Sequence, residues 1–294
     1  MAEGQQWSGK SRGGTFGVLF FVKLITILGP RAAYVFLWFV IPYYLLFAPK
    51  AFRASYFYHH KILHQRALRS FGAVFFHYYK FGQILVDRIA IKHGLSKLYA
   101  FSRDADAEKE LMRIIDEGRG AILLGAHIGA WEIGTMMSDR YARKINVVMM
   151  DAEYRGVKRA VEAGVADIPY NIIPISDDGL ESMMLIKQAI DRGEVVSFQG
   201  DRYLAGHATI EAELMGKSVH LPAGVFKIAA RLHVPVVFYC TMRESGRHYH
   251  FSFKVIDNEN VKPRELVNNY CKYIDEQLQK YPDQWFNFYD FWKQ

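Results

Sequence analysis

Cysteine is scarce in this chain of 294 residues, where Cys240 and Cys271 are the full complement. Two thiols make no disulfide framework and suit a reducing compartment. No cysteine pair stands at zinc-ligand spacing. A G-x-S-x-G elbow is also missing, so a serine hydrolase would lack an obvious nucleophile. Neither a Walker loop nor a G-x-G-x-x-G turn is present, which argues against the familiar nucleotide cradles. No internal repeat or low-complexity linker divides the chain. Its length fits one large domain, or one domain with an appendage.

Apolar residues, by contrast, are plentiful. They make up 51% of the chain and aromatics 15%, enough to build a core and to meet lipid as well. The net charge of +7 and a pI near 9.2 suit an anionic membrane surface, an acidic carrier protein or nucleic acid. Residues 16–28 are apolar apart from Lys23, and 32–48 hold no charge at all. That second run is at the lower limit for a spanning helix, and Pro42 is expected to interrupt it. Arg31, Lys50 and Arg53 stand at its ends like interfacial anchors. No small-residue cleavage site follows, so a removable signal is not expected.

Between 50 and 99, Lys50, Arg53, Lys61, Arg66 and Arg69 alternate with Phe52, Tyr56, Phe57, Leu63, Leu68 and Phe71. Helical spacing with a basic face predicts a helix lying against phospholipid headgroups. No nucleic-acid reader motif accompanies this charge, so nucleic acid is not an expected partner. His59, His60 and His64 lack the acidic partner of a zinc-protease helix, and a solvated face is the expectation. From about residue 105 strands and helices alternate. Strands are predicted at 121–126, 145–150, 170–175, 194–199, 234–241 and 248–256. Helices are predicted at 105–117, 130–142, 153–165, 179–192, 222–232 and 263–280. This order predicts an α/β fold, a mostly parallel mixed sheet flanked by helices. The expected organisation is an apolar amino-terminal membrane anchor (1–50), a basic amphipathic helical region (51–104) and an α/β catalytic domain (105–294).

The stretch Gly125-Ala126-His127-Ile128-Gly129-Ala130-Trp131-Glu132 concentrates the chemistry. Five helical steps would put His127 and Glu132 roughly 140° apart. They converge only if His127 sits on a turn ahead of the helix that carries Glu132. A histidine at the carboxyl end of a strand lies where open α/β sheets place their sites, and a carboxylate beside it makes a general base. A second cluster, Gln199-Gly200-Asp201-Arg202, emerges at the same sheet edge. Asp201 there could orient the imidazole instead, and Arg202 could grip a phosphate or an oxyanion. Farther on, Leu214-Met215-Gly216 leads to Leu221-Pro222-Ala223-Gly224, with Pro222 at a plausible helix start and Gly224 able to admit a ligand to the backbone. A base without an enzymic nucleophile implies that the substrate supplies one. His127 would deprotonate a hydroxyl or amine as it attacks an activated acyl carbonyl, then return a proton to the leaving thiol. No metal is required. The same histidine would also serve a thioesterase or lipid hydrolase that activates water, and a non-catalytic lipid-binding protein is a third possibility.

These segments, taken in order with the closing Pro282-Asp283-Gln284-Trp285-Phe286, resemble the lysophospholipid acyltransferase superfamily. The likeness is to the branch of bacterial lipid A late acyltransferases and phosphatidylinositol mannoside acyltransferases. The histidine-x4-acid motif, the turn at 199–202, the block at 215–224 and the tail carry it. The resemblance implies transfer of a fatty acyl chain from acyl carrier protein or coenzyme A to a lipid-linked acceptor. The donor is then a substrate, not a cofactor. The setting it implies is the cytoplasmic face of the bacterial inner membrane. It makes His127 the base, with Glu132 and Asp201 competing to orient it. Arg202, Arg155 and Lys158 would contact phosphate, and Gly129, Trp131, Gly216, Pro222 and Gly224 would contact substrate. The tail lacks the family's usual basic residue before its last aromatic, and the turn at 201–202 is a variant, which leaves the acceptor open.

Overall fold

A computed structural model describes residues 15–136, 144–150, 170–175, 179–203 and 206–293. Its centre is β2 (Ala121–Gly125), buried at all five positions, as a strand covered on both faces must be. β5 (Val195–Gln199) and β8 (Val236–Arg243) flank it in parallel. Outward from β5 lie β3 (Ile145–Met150) and β4 (Asn171–Ile175), both parallel. Outward from β8 comes β9 (His248–Ile256), antiparallel to it, with β1 (Ala100–Arg103) at the edge beside β9. The order among the described residues is therefore β1-β9-β8-β2-β5-β3-β4, a mostly parallel mixed sheet. Amphipathic helices cover it. α4 (Ala105–Asp116) buries Leu111, Ile114 and Ile115 at helical spacing.

Several boundaries differ from expectation. β1 was not anticipated, being a four-residue edge strand with little apolar signal. Residues 209–222 form a separate hairpin, β6 (Thr209–Leu214) and β7 (Lys217–Pro222), where no strands were expected. Pro222 ends β7, and the helix behind it, α7 (Ala223–Leu232), starts one residue later than predicted. α5 (Trp131–Met136), α6 (Leu180–Asp191) and α8 (Pro263–Lys280) match predicted helices. The helix expected at 153–165, the end of that at 130–142, and the residues Arg155 and Lys158 lie outside the described residues.

The amino-terminal layer also departs from expectation. α1 (Thr15–Phe47) runs through Pro42, and its break falls at Gly29, with φ 80° and ψ 171°. Pro30 then opens the second segment, where its missing N–H is not needed. Pro42 is exposed and lies within the second segment without breaking it. α2 (Pro49–Phe57) and α3 (Ala67–Ala90) follow. His59 is fully buried, not on a solvated face, because the wide π-helical turn at Tyr58–Ile62 directs it inward. Its ring lies 5.1 Å from that of His77.

Candidate active site

The register of β2 and β5 builds the site. Gly125 pairs with Gln199 at the carboxyl ends of the two strands, so two further residues on each bring His127 opposite Asp201. Gly200 N donates to the Gly125 carbonyl at 2.9 Å, holding the two ends together. Asp201 then meets the histidine twice: His127 N donates to Oδ2 at 3.0 Å and Nδ1 donates to Oδ1 at 2.9 Å. A carboxylate can only accept, so the proton sits on Nδ1 and the Nε2 lone pair is the basic atom. Asp201 is 2% exposed, whereas the His127 side chain is 16% exposed. Burial pushes the Asp201 carboxyl up, but His127, the Arg202 guanidinium and the Asn287 amide outweigh it and hold the acid well below the usual carboxylate range.

The loop that carries His127 is clamped from two sides. Gly129 adopts φ +56°, and a Cβ there would overlap the Thr241 carbonyl, so only glycine fits. Ala130 N donates to that same carbonyl at 2.6 Å. From the other side comes the carboxyl-terminal tail, with Ile128 bridging Trp285. Gly129 N donates to the Gln284 carbonyl at 2.9 Å and Phe286 N to the His127 carbonyl at 3.0 Å. Gln284 in turn binds both backbone groups of Arg243, at 2.8 and 2.9 Å. The sequence marks the tail only as part of a resemblance. In the structure it is a wall of the site.

A family model for the bacterial lipid A biosynthesis acyltransferases matches residues 64–294. The chain belongs to that family. It is an acyltransferase that acts on lipid-like acceptors. Comparison with curated proteins gives no match.

The remaining predicted residues of this acyltransferase are spread around the dyad. Glu132, in the first turn of α5, forms an ion pair with Arg88 of α3, both about one-third exposed. Asp201 is thus the acid at Nδ1, and Glu132 ties the histidine loop to the helical layer. Trp131 stands edge-on to His127 with ring centroids 6.2 Å apart. Arg202 donates through Nε to Asn287 at 2.7 Å and lies over the Tyr289 ring. Met215 and Gly216 form the β6–β7 turn, both with positive φ, and Met215 N donates to Asp275 at 2.8 Å. Gly224 is exposed, and open space faces the position of a Cβ there. Asn287 and Arg88 were not anticipated, since each reaches the site through contacts distant in sequence. Among the described residues no group of three histidine, cysteine or acidic side chains is arranged to hold a metal.

Proposed function

We propose that His127 is the general base for transfer of a fatty acyl chain from an acyl thioester, on acyl carrier protein or coenzyme A, to a hydroxyl or amine of a lipid-linked acceptor. One observation carries this reading: the buried Asp201 binds His127 at two points while the imidazole remains partly open. Nε2 takes the acceptor's proton as its oxygen or nitrogen attacks the thioester carbonyl. The tetrahedral adduct collapses, the C–S bond breaks, and the imidazolium returns the proton to the departing sulfur. Arg202, held by Asn287 and stacked on Tyr289, together with Arg155 and Lys158, serves to bind phosphate of donor or acceptor.

The reading extends to the cytoplasmic face of the bacterial inner membrane. Leu19–Phe47 is long and apolar enough to cross a membrane, yet one stripe of it is committed to protein. Ile25, Ala33, Leu37 and Ile41 are buried, and Tyr34 bonds Asp87 of α3. The other faces expose Leu28, Val35, Trp38, Phe39 and Leu46, joined by Leu68, Phe71 and Phe76 of α3. Such a patch fits an in-plane helix sunk into one leaflet, with exposed Lys50, Arg53, Arg66 and Arg69 meeting anionic headgroups.

Purified protein incubated with labelled acyl thioester and a total lipid extract should label one lipid. Free fatty acid as the dominant product, with acceptor abundant, would instead identify a thioesterase. Chelator should leave the labelling intact.

A further inference from the structure

Residues 284–287 touch both halves of the dyad although they belong to neither strand that bears it. Besides the backbone bonds from Gly129 and to the His127 carbonyl, Asn287 Nδ2 donates to Asp201 Oδ2 at 2.8 Å. On its other side Asn287 Oδ1 accepts from Arg202 Nε at 2.7 Å. The neighbours dictate which way the amide faces, because a carboxylate only accepts and a guanidinium only donates. Asn287 is 4% exposed, so one rigid buried side chain holds two opposite charges apart at fixed distance.

We infer that Asn287 is a positioning residue for the acyl-transfer reaction, resting on His127 as its base. Asp201 Oδ2 receives two N–H groups, from His127 N and from Asn287, which stops the carboxylate turning about its own bond. Oδ1 is thereby aimed at Nδ1 of His127. Asn287 also keeps Arg202 from closing on Asp201. Without this amide, the carboxylate is free to rotate toward the guanidinium. The imidazole then populates the tautomer protonated on Nε2, which leaves no lone pair on that atom to take the acceptor's proton. The geometry of the base thus depends on a tail that follows the last strand in the sequence.

The test uses the full chain with isotope-labelled histidine in detergent. The His127 tautomer is read from ring-nitrogen chemical shifts, assigned by the signals lost in His127→Asn. Turnover is followed with labelled acyl-CoA and lipid extract. Asn287→Ala should show a mixture of tautomers and a kcat lower by about 100-fold, with KM changed by less than about 3-fold. Asn287→Asp keeps volume and the Arg202 bond but repels Asp201, and should behave likewise; it carries the test if the alanine variant does not fold. A single native tautomer with unchanged kcat in both variants would overturn the proposal. A shifted tautomer with unchanged turnover would uphold the positioning contact and overturn His127 as the base.

Discussion

Among the described residues two carboxylates are sealed inside, in regions built on opposite plans. Asp87 lies where α1, α3, β8 and β9 meet, and it is fully buried. Arg243 and Tyr249 donate to its Oδ2 at 2.9 and 2.5 Å, Tyr99 to its Oδ1 at 2.9 Å, and Tyr34 joins them from α1. Each of these partners is itself buried or half-buried, so the cluster closes on itself. Asp201 is nearly as buried and as well bonded, yet one of its partners is His127, whose ring remains partly open. A buried, satisfied acid by itself marks only a structural joint. What distinguishes the second region is that its network ends on an atom able to exchange a proton.

The sharpest way to break the comparison is to disable each acid in turn. His127→Ala and Asp201→Asn should each lower acyl transfer by about 10²- to 10⁴-fold, read as labelled lipid formed per minute, with little change in fold. Asp201→Asn leaves an amide that can donate as well as accept, so the imidazole no longer has a defined tautomer. Asp87→Asn should do the reverse. It leaves Arg243 without its counter-charge in a buried cluster and should cost about 3–5 kcal/mol in denaturant unfolding, while the surviving folded fraction turns over normally. Equal loss of activity from folded Asp87→Asn would erase the distinction.

How much of this could be read in advance depended on the range of each interaction. The alternation of helix and strand, the parallel sheet and the emergence of His127 and Asp201 at one edge follow from patterns a few residues long. The partner acid was not decidable. Glu132 is five residues from His127 and Asp201 seventy-four, and only the β2–β5 register shows that the distant one binds Nδ1. The β6–β7 hairpin carries no local cue because its turn is Met215-Gly216, without the Asn-Gly or Asp-Gly signal. Asn287 carried no local cue, since its partners are found across the fold. The missing acidic partner of a zinc-protease helix points His59 to a solvated face, whereas the turn at Tyr58–Ile62 faces it to the core.

A third prediction concerns the layer between the two acids. His77 Nε2 donates to the Trp285 carbonyl at 2.6 Å, and its Nδ1 accepts from the Ser55 hydroxyl at 2.7 Å, so it braces the tail behind the site. Burial, with the neighbouring His59, pushes it down to about 3 despite the bond to Trp285. In the unfolded chain it titrates near 6.5. Between these values the unfolded state holds the extra proton, so stability rises with pH. It should therefore decline as pH falls below about 6.5, by about 2 kcal/mol at pH 5 from this group. Denaturant midpoints measured from pH 7.5 to 5 should show the slope, and His77→Gln should flatten it. An unchanged slope in the variant would remove His77 from the account.

The smallest effect sharpens the comparison most. Glu132 shares the histidine's motif, yet its partner Arg88 belongs to α3, and both side chains are about one-third exposed. Solvent screening discounts such a pair, so Glu132→Gln should alter folding stability by less than about 1 kcal/mol. The amide cannot hold Arg88 by charge, however, and α3 is the helix whose Asp87 and His77 tie the aromatic layer and the tail to the sheet. If Glu132 acts as a tether, the variant should keep the native His127 tautomer, in contrast to Asp201→Asn. A mixed tautomer in Glu132→Gln would mean that the motif acid also sets the proton on the imidazole, and that the base has two carboxylate partners instead of one.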